Sequence, residues 1–89
     1  MSYAVTHDEH SDVLYVLEEG SKVHRSIVAK DGYLVINRDG RARAVGLQIL
    51  FVSDMTAEAW RQHPDRDLIP AELHAEVESW IDNHLEHLA

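Results

Sequence analysis

The alternation of apolar and polar residues is strongest over residues 39–52, where a tight turn leads into the longest apolar strand of the chain. Val45, Leu47, Ile49 and Phe51 fall on one face, and Ala44, Gly46, Gln48, Leu50 and Val52 form a smaller, mixed face. A strand apolar on both sides belongs in the middle of a sheet. Residues 12–17 have the same character, with Val13, Tyr15 and Leu17 opposite Leu14 and Val16. Residues 3–7 read as a short strand before a polar turn, and residues 33–37 as a further strand. Residues 22–29 read as a strand nearer an edge, with Val23, Ile27 and Ala29 inward and His24 and Ser26 outward. Asp31-Gly32 and Asp39-Gly40 predict two-residue type I′ hairpins, whose central positions both need positive φ.

After Val52 the period changes. Residues 56–63 begin with a capping Thr56 and are cut by Pro64, which predicts a helix of about two turns. Pro70 suits the first turn of a second helix. Along it Leu73, Val77, Trp80, Ile81, His84, Leu85 and Leu88 recur at spacings of three and four, an apolar stripe. The expected fold is therefore α+β: an antiparallel β-meander of about five strands, a short helix, and a longer C-terminal amphipathic helix packed on the sheet. It is one domain, with the meander over residues 1–53 and a helical extension over 54–89.

Length sharpens this picture. A chain of 89 residues buries roughly 60 to 65% of its unfolded surface, so self-association is an expected supplement to a small core. The chain contains no cysteine, which removes disulfides and thiolate metal sites and fits a cytoplasmic protein. No apolar run reaches the roughly 20 residues that cross a bilayer, and the N-terminus lacks a basic segment followed by an apolar one.

Charge is unevenly placed. Up to Val52 six basic residues face seven acidic ones, whereas from Ser53 onward two face nine, within a formal net charge of -8. The acidity lies in the helical extension, on Glu72, Glu76, Glu78, Asp82 and Glu86. Such a surface disfavours nucleic acid and suits a small basic protein partner.

Residues 6–16, residues 31–40 with Asp39-Gly40 at their end, and residues 44–50 together resemble the small bacterial proteins grouped as domain of unknown function 2283. The positions that carry the likeness are Asp12, Leu14, Tyr15, Asp39, Gly40, Gly46, Ile49 and Leu50, and it covers roughly residues 3–53. Gln48 departs from the acidic residue usual before the final Ile-Leu of that pattern. The resemblance implies no established activity, and it implies that some members act like the antitoxin half of a toxin–antitoxin pair. The helical extension lies outside it.

Seven histidines invite a metal reading, through His7 and His10 near Asp8, Glu9 and Asp12, or through His84 and His87 one helical turn apart. A closed site needs third and fourth ligands that no spacing supplies, so no metal or cofactor is expected. Asp12, Tyr15 and His24 are the candidates for catalysis, and their simpler roles are turn and rim residues. Arg38, Arg41 and Arg43 surround the second hairpin without an aromatic platform and read as a solvated tip. Trp80 reads as core, and Trp60 as either core or interface anchor.

The expected function is thus a non-enzymatic interaction module, a homodimer that engages a basic partner through Trp60, Glu72, Glu76, Glu78, Asp82 and Glu86. An enzyme using the polar turn from His7 to Asp12, metal-dependent or binding a small molecule, is the reading from another class. A self-assembling accessory protein is the third.

Overall fold

The computed structural model describes residues 2–85 of the chain. Five antiparallel strands, β1 (Tyr3–Asp8), β2 (Val13–Glu18), β3 (Arg25–Val28), β4 (Leu34–Arg38) and β5 (Ala44–Leu50), form one sheet in the order β1-β2-β5-β4-β3. Helices α1 (Ala57–Arg61) and α2 (Ala71–His84) follow, each preceded by a single 3-10 turn. The α+β class, the five strands and the C-terminal helix on the sheet are as expected. The connectivity is not that of a sequential meander: β1 and β2 are neighbours, as are β3, β4 and β5 in turn, but β2 and β3 are not. The β2–β3 connection crosses to the far edge, so that β5 returns to pair with β2 in the centre.

Register fixes the two faces. Leu14, Val16, Leu34, Ile36, Leu47 and Ile49 are cross-strand partners on one face, all buried. Leu73, Val77 and Ile81 of α2 join the same cluster, and α2 lies over β1 and β2. Val52, Ala57, Trp60 and Ile69 complete it from the segments around α1. Burial of these side chains at about 25 cal/mol per Å² is the main force holding helix to sheet.

The turns differ from expectation in an instructive way. Gly32 has positive φ but Asp31 does not; instead the Asp31 carboxylate accepts the amides of Tyr33 and Leu34. At the second hairpin neither Asp39 nor Gly40 has positive φ. The chain turns from Asp39 to Ala42, with the Ala42 amide donating to the Asp39 carbonyl at 3.0 Å, and Ala42 takes the left-handed conformation at φ 63. This is a longer loop closed by a left-handed residue, and the register shifts beside it, between Asn37 and Arg38. Because an alanine occupies that position, Ala42→Gly is expected to raise stability by about 1 kcal/mol. A urea midpoint that stays unchanged or falls would refute this.

At the far end β5 stops two residues early, at Leu50. Phe51 turns left-handed at φ 54, which carries its ring outward to 55% exposure and drops Val52 into the core at 0%. The two residues therefore exchange the faces that strict alternation predicts. The Val52 amide donates to the Asp12 carbonyl, fixing the exit of the chain against the first hairpin. Val23, expected inward, is exposed because it precedes β3 and pairs with nothing in the sheet.

Candidate functional site

The face of the sheet opposite the helices is uncovered. Across its middle, Thr6, Tyr15, Gln48, Val35 and Val28 stand in register, one from each strand. The neighbouring row is Ala4, Leu17, Gly46, Asn37 and Ser26. None of these ten residues is charged, although a chain with 27% charged residues places two or three charges among ten positions at random. Tyr15 is 39% and Val28 63% exposed, and Leu17, Gln48 and Val35 are half-buried. Among the polar groups, the Ser26 hydroxyl donates to Asn37 Oδ1 at 2.9 Å. Gly46 lets the strands close: a Cβ there would lie 2.6 Å from the Val16 carbonyl oxygen.

This face continues into Leu50, whose amide donates to the Tyr33 carbonyl, and to the exposed pair Tyr33 and Phe51, edge to face at 5.9 Å. With Asp31, Asp54 and Met55 they line an open groove of about 490 Å³. Depletion of charge with exposed aromatic and aliphatic side chains is the composition of an interface centre.

The predicted acidic residues lie around α2 but do not form one patch. At 3.6 residues per turn Asp82 stands about 120° around the axis from Glu76. Glu72 is exposed and accepts the Tyr3 hydroxyl at 3.4 Å. Glu78 is tied to Arg61 by an ion pair within the chain. Glu76 and Asp82 have no hydrogen-bond or ion-pair partner among the described residues, and Glu86 lies outside them.

Of the two readings of Trp60 the structure selects the core, and Trp80 lies further out than expected. Trp60 is 0% exposed, so it is a core residue and not an interface anchor. Its ring stacks on His74 at 4.7 Å and its Nε1 donates to the His74 carbonyl at 2.9 Å. Trp80, expected in the core, is half-buried at its margin, stacked on the exposed His84 at 4.6 Å and edge-on to His7 at 4.9 Å. His84 is thus not a buried member of the stripe, and its pair with His87 falls outside the described residues.

The polar turn at His7 and Asp12 is a latch. Asp12 Oδ1 is 2.9 Å from His7 Nε2 and accepts the Ser53 hydroxyl at 2.7 Å, while Oδ2 accepts the Ser53 amide at 3.1 Å. Burial pushes the Asp12 carboxyl up, but the hydrogen bonds from His7 and Ser53 outweigh it and hold the group below the usual aspartate range. Ser53 and His7 both bond the carboxylate and not each other, an order that gives no activated nucleophile. No group of three or more His, Asp or Glu among the described residues is placed to hold a metal ion.

A second latch was not legible in the sequence. His63, 6% exposed, sits 2.8 Å from Asp31 Oδ2 through Nε2, and its Nδ1 accepts the Asp65 amide. The acceptor role of Nδ1 places the ring proton on Nε2, which donates to Asp31. Asp31 is held below the usual aspartate range: burial raises it, and the Tyr33 amide and His63 lower it by more. A depressed carboxyl contributes stability above its unfolded pKa and loses it as pH falls through the folded one. Asp31→Asn should therefore cost about 0.5–1 kcal/mol at neutral pH, allowing for screening at a partly exposed carboxylate, with wild type and variant converging in strong acid. A difference that persists unchanged below the aspartate range would contradict this assignment.

Among the arginines of the second hairpin, Arg43 is engaged by Glu18 at 2.8 Å and by Asp39 at 3.5 Å. Comparison of the chain with family models, with curated proteins and with solved structures returns no match. No helix among the described residues is long and apolar enough to cross a membrane.

Proposed function

We propose that the chain is a non-enzymatic interaction module that pairs with a second copy of itself through the uncovered sheet face. The observation that carries this is the pair of five-residue rows, free of charge, on one side of a strongly acidic chain. A second copy suits the face because its two rows are uncharged, so a two-fold pair sets no like charges against each other there, and because α2, where much of the acidity sits, lies on the opposite side of the sheet. Five strands about 4.8 Å apart and six residues at about 3.3 Å give a flat footprint of roughly 400 Å². That is about half the standard area per partner, the size of weak and transient interfaces, so a micromolar rather than nanomolar dimer is expected.

In this arrangement Glu72, Glu76 and Asp82 point away from the pairing face, where they would steer a small basic protein partner in the manner of an antitoxin. What supports this part is the uncommitted charge of Glu76 and Asp82. Sedimentation equilibrium from about 1 to 100 µM tests the pairing over the range that brackets a micromolar dissociation constant. A mass rising from monomer to dimer is expected, and a monomer throughout overturns the reading. For the partner, binding that weakens steeply with salt is expected, whereas a salt-independent affinity would leave the acidic residues without a role.

A further inference from the structure

We propose that the pocket lined by His24, Arg25 and Arg38 binds a small phosphate-bearing anion. Arg25 and Arg38 are register partners across β3 and β4, so their side chains leave the same side of the sheet, and both line the pocket. Like charges placed directly opposite are unfavourable without a counter-charge. None is supplied from the described residues. Asp39, which also lines the pocket, accepts the amides of Arg41 and Arg43 through Oδ1 and meets Arg43 through Oδ2. Glu18, buried nearby, accepts from Arg43 and Ser21.

Arg38 Nε is buried and has no hydrogen-bond partner among the described residues. A buried donor left in that condition is costly, and an oxyanion in the pocket would satisfy it. The His24 amide donates to the Arg38 carbonyl at 2.7 Å, which holds His24 beside the pair. The space is about 210 Å³, below the roughly 300 Å³ at which sites for larger organic ligands begin, so it takes a phosphate group and not a whole nucleotide. Two guanidinium forks on separate strands suit a tetrahedral oxyanion, which accepts from several directions, better than a planar carboxylate, which one fork saturates. A nucleic acid is disfavoured by the acidity of the helical extension.

The pocket does not involve the rows of the uncovered face, so this inference and the pairing stand or fall separately. The test titrates the full ¹⁵N-labelled chain with inorganic phosphate at constant ionic strength, with parallel titrations in acetate and in a duplex DNA. Saturable shifts confined to amides near His24, Arg25 and Arg38 are expected with phosphate and absent with acetate. Arg38→Gln and Arg25→Gln should each weaken binding about tenfold or more, and Arg41→Gln should leave it unchanged. Arg25 is exposed, so its variant keeps the test valid if Arg38→Gln folds poorly. Non-saturating shifts, equal binding of acetate, equal sensitivity to Arg41→Gln, or saturation of these amides by duplex DNA alone would overturn the proposal.

Discussion

Replacing Trp60 with alanine is expected to remove a large part of the stability of the fold. The side chain is fully buried where α1, the following connector and α2 meet, with His74 stacked on one side and His63 tilted against it at 5.8 Å. Truncating a buried tryptophan costs about 3–5 kcal/mol through lost burial and the cavity left behind. A domain of this length holds roughly 4–13 kcal/mol in total at 0.05–0.15 kcal/mol per residue. The loss extends beyond the ring, because the His74 carbonyl would lose the indole donor that satisfies it. Trp60→Phe keeps a stacked aromatic and loses the hydrogen bond and part of the volume, so it should fall between wild type and Trp60→Ala. Urea unfolding followed by far-ultraviolet circular dichroism measures both, and a Trp60→Ala midpoint equal to that of wild type would show that Trp60 does not join the helices to the sheet.

The sequence left that role undecided for a physical reason. Trp80 lies mid-stripe on a helix of 14 residues, where periodicity is informative, whereas Trp60 sits on a helix of five, too short for a period to register. The long helix runs along the sheet, so that Trp80 reaches its margin, and the short one is pulled inward by the His63–Asp31 latch. The strands were more legible. Alternation alone marked β2 and β5 as interior, because both of their faces carry apolar side chains, and it placed β3 at an edge. The order of strands was not legible, since Asp-Gly pairs mark bends without saying which strands then pair. The Ala42 and Phe51 conformations were equally invisible, being imposed on residues that do not prefer them by closure of the loops around them.

The same distinction governs the candidate sites. The acidic positions of α2 are apparent from composition, but whether each is committed inside the chain depends on the position of Arg61 and Tyr3. The uncharged rows contain one residue from each of five strands, and no window of sequence collects them. Arg25 and Arg38 are 13 positions apart and become neighbours only through the β3–β4 register. Sites assembled across strands need register, and register here depends on loop closures the sequence does not announce.

Gln48→Glu is expected to abolish self-association while leaving the monomer intact. Gln48 stands on the central strand between Tyr15 and Val35, at the middle of the uncovered face. Its side chain is half-buried in the single chain and reaches solvent, so a carboxylate there changes monomer stability by no more than about 0.5 kcal/mol. In a two-fold pair the substitution buries two like charges near the axis with no cation on either row. An unpaired charge in an interface costs about 3–5 kcal/mol, which turns a micromolar dimer into one weaker by at least about a hundredfold. Gln48→Met, neutral and similar in length, should retain the dimer, which separates the effect of charge from that of shape. Sedimentation equilibrium of the three proteins, with thermal unfolding as the fold control, decides the matter: a Gln48→Glu protein that dimerises like wild type would show that copies do not meet on this face. A monomeric Gln48→Glu protein would mark the neutral glutamine as the residue that makes this sheet face fit for pairing.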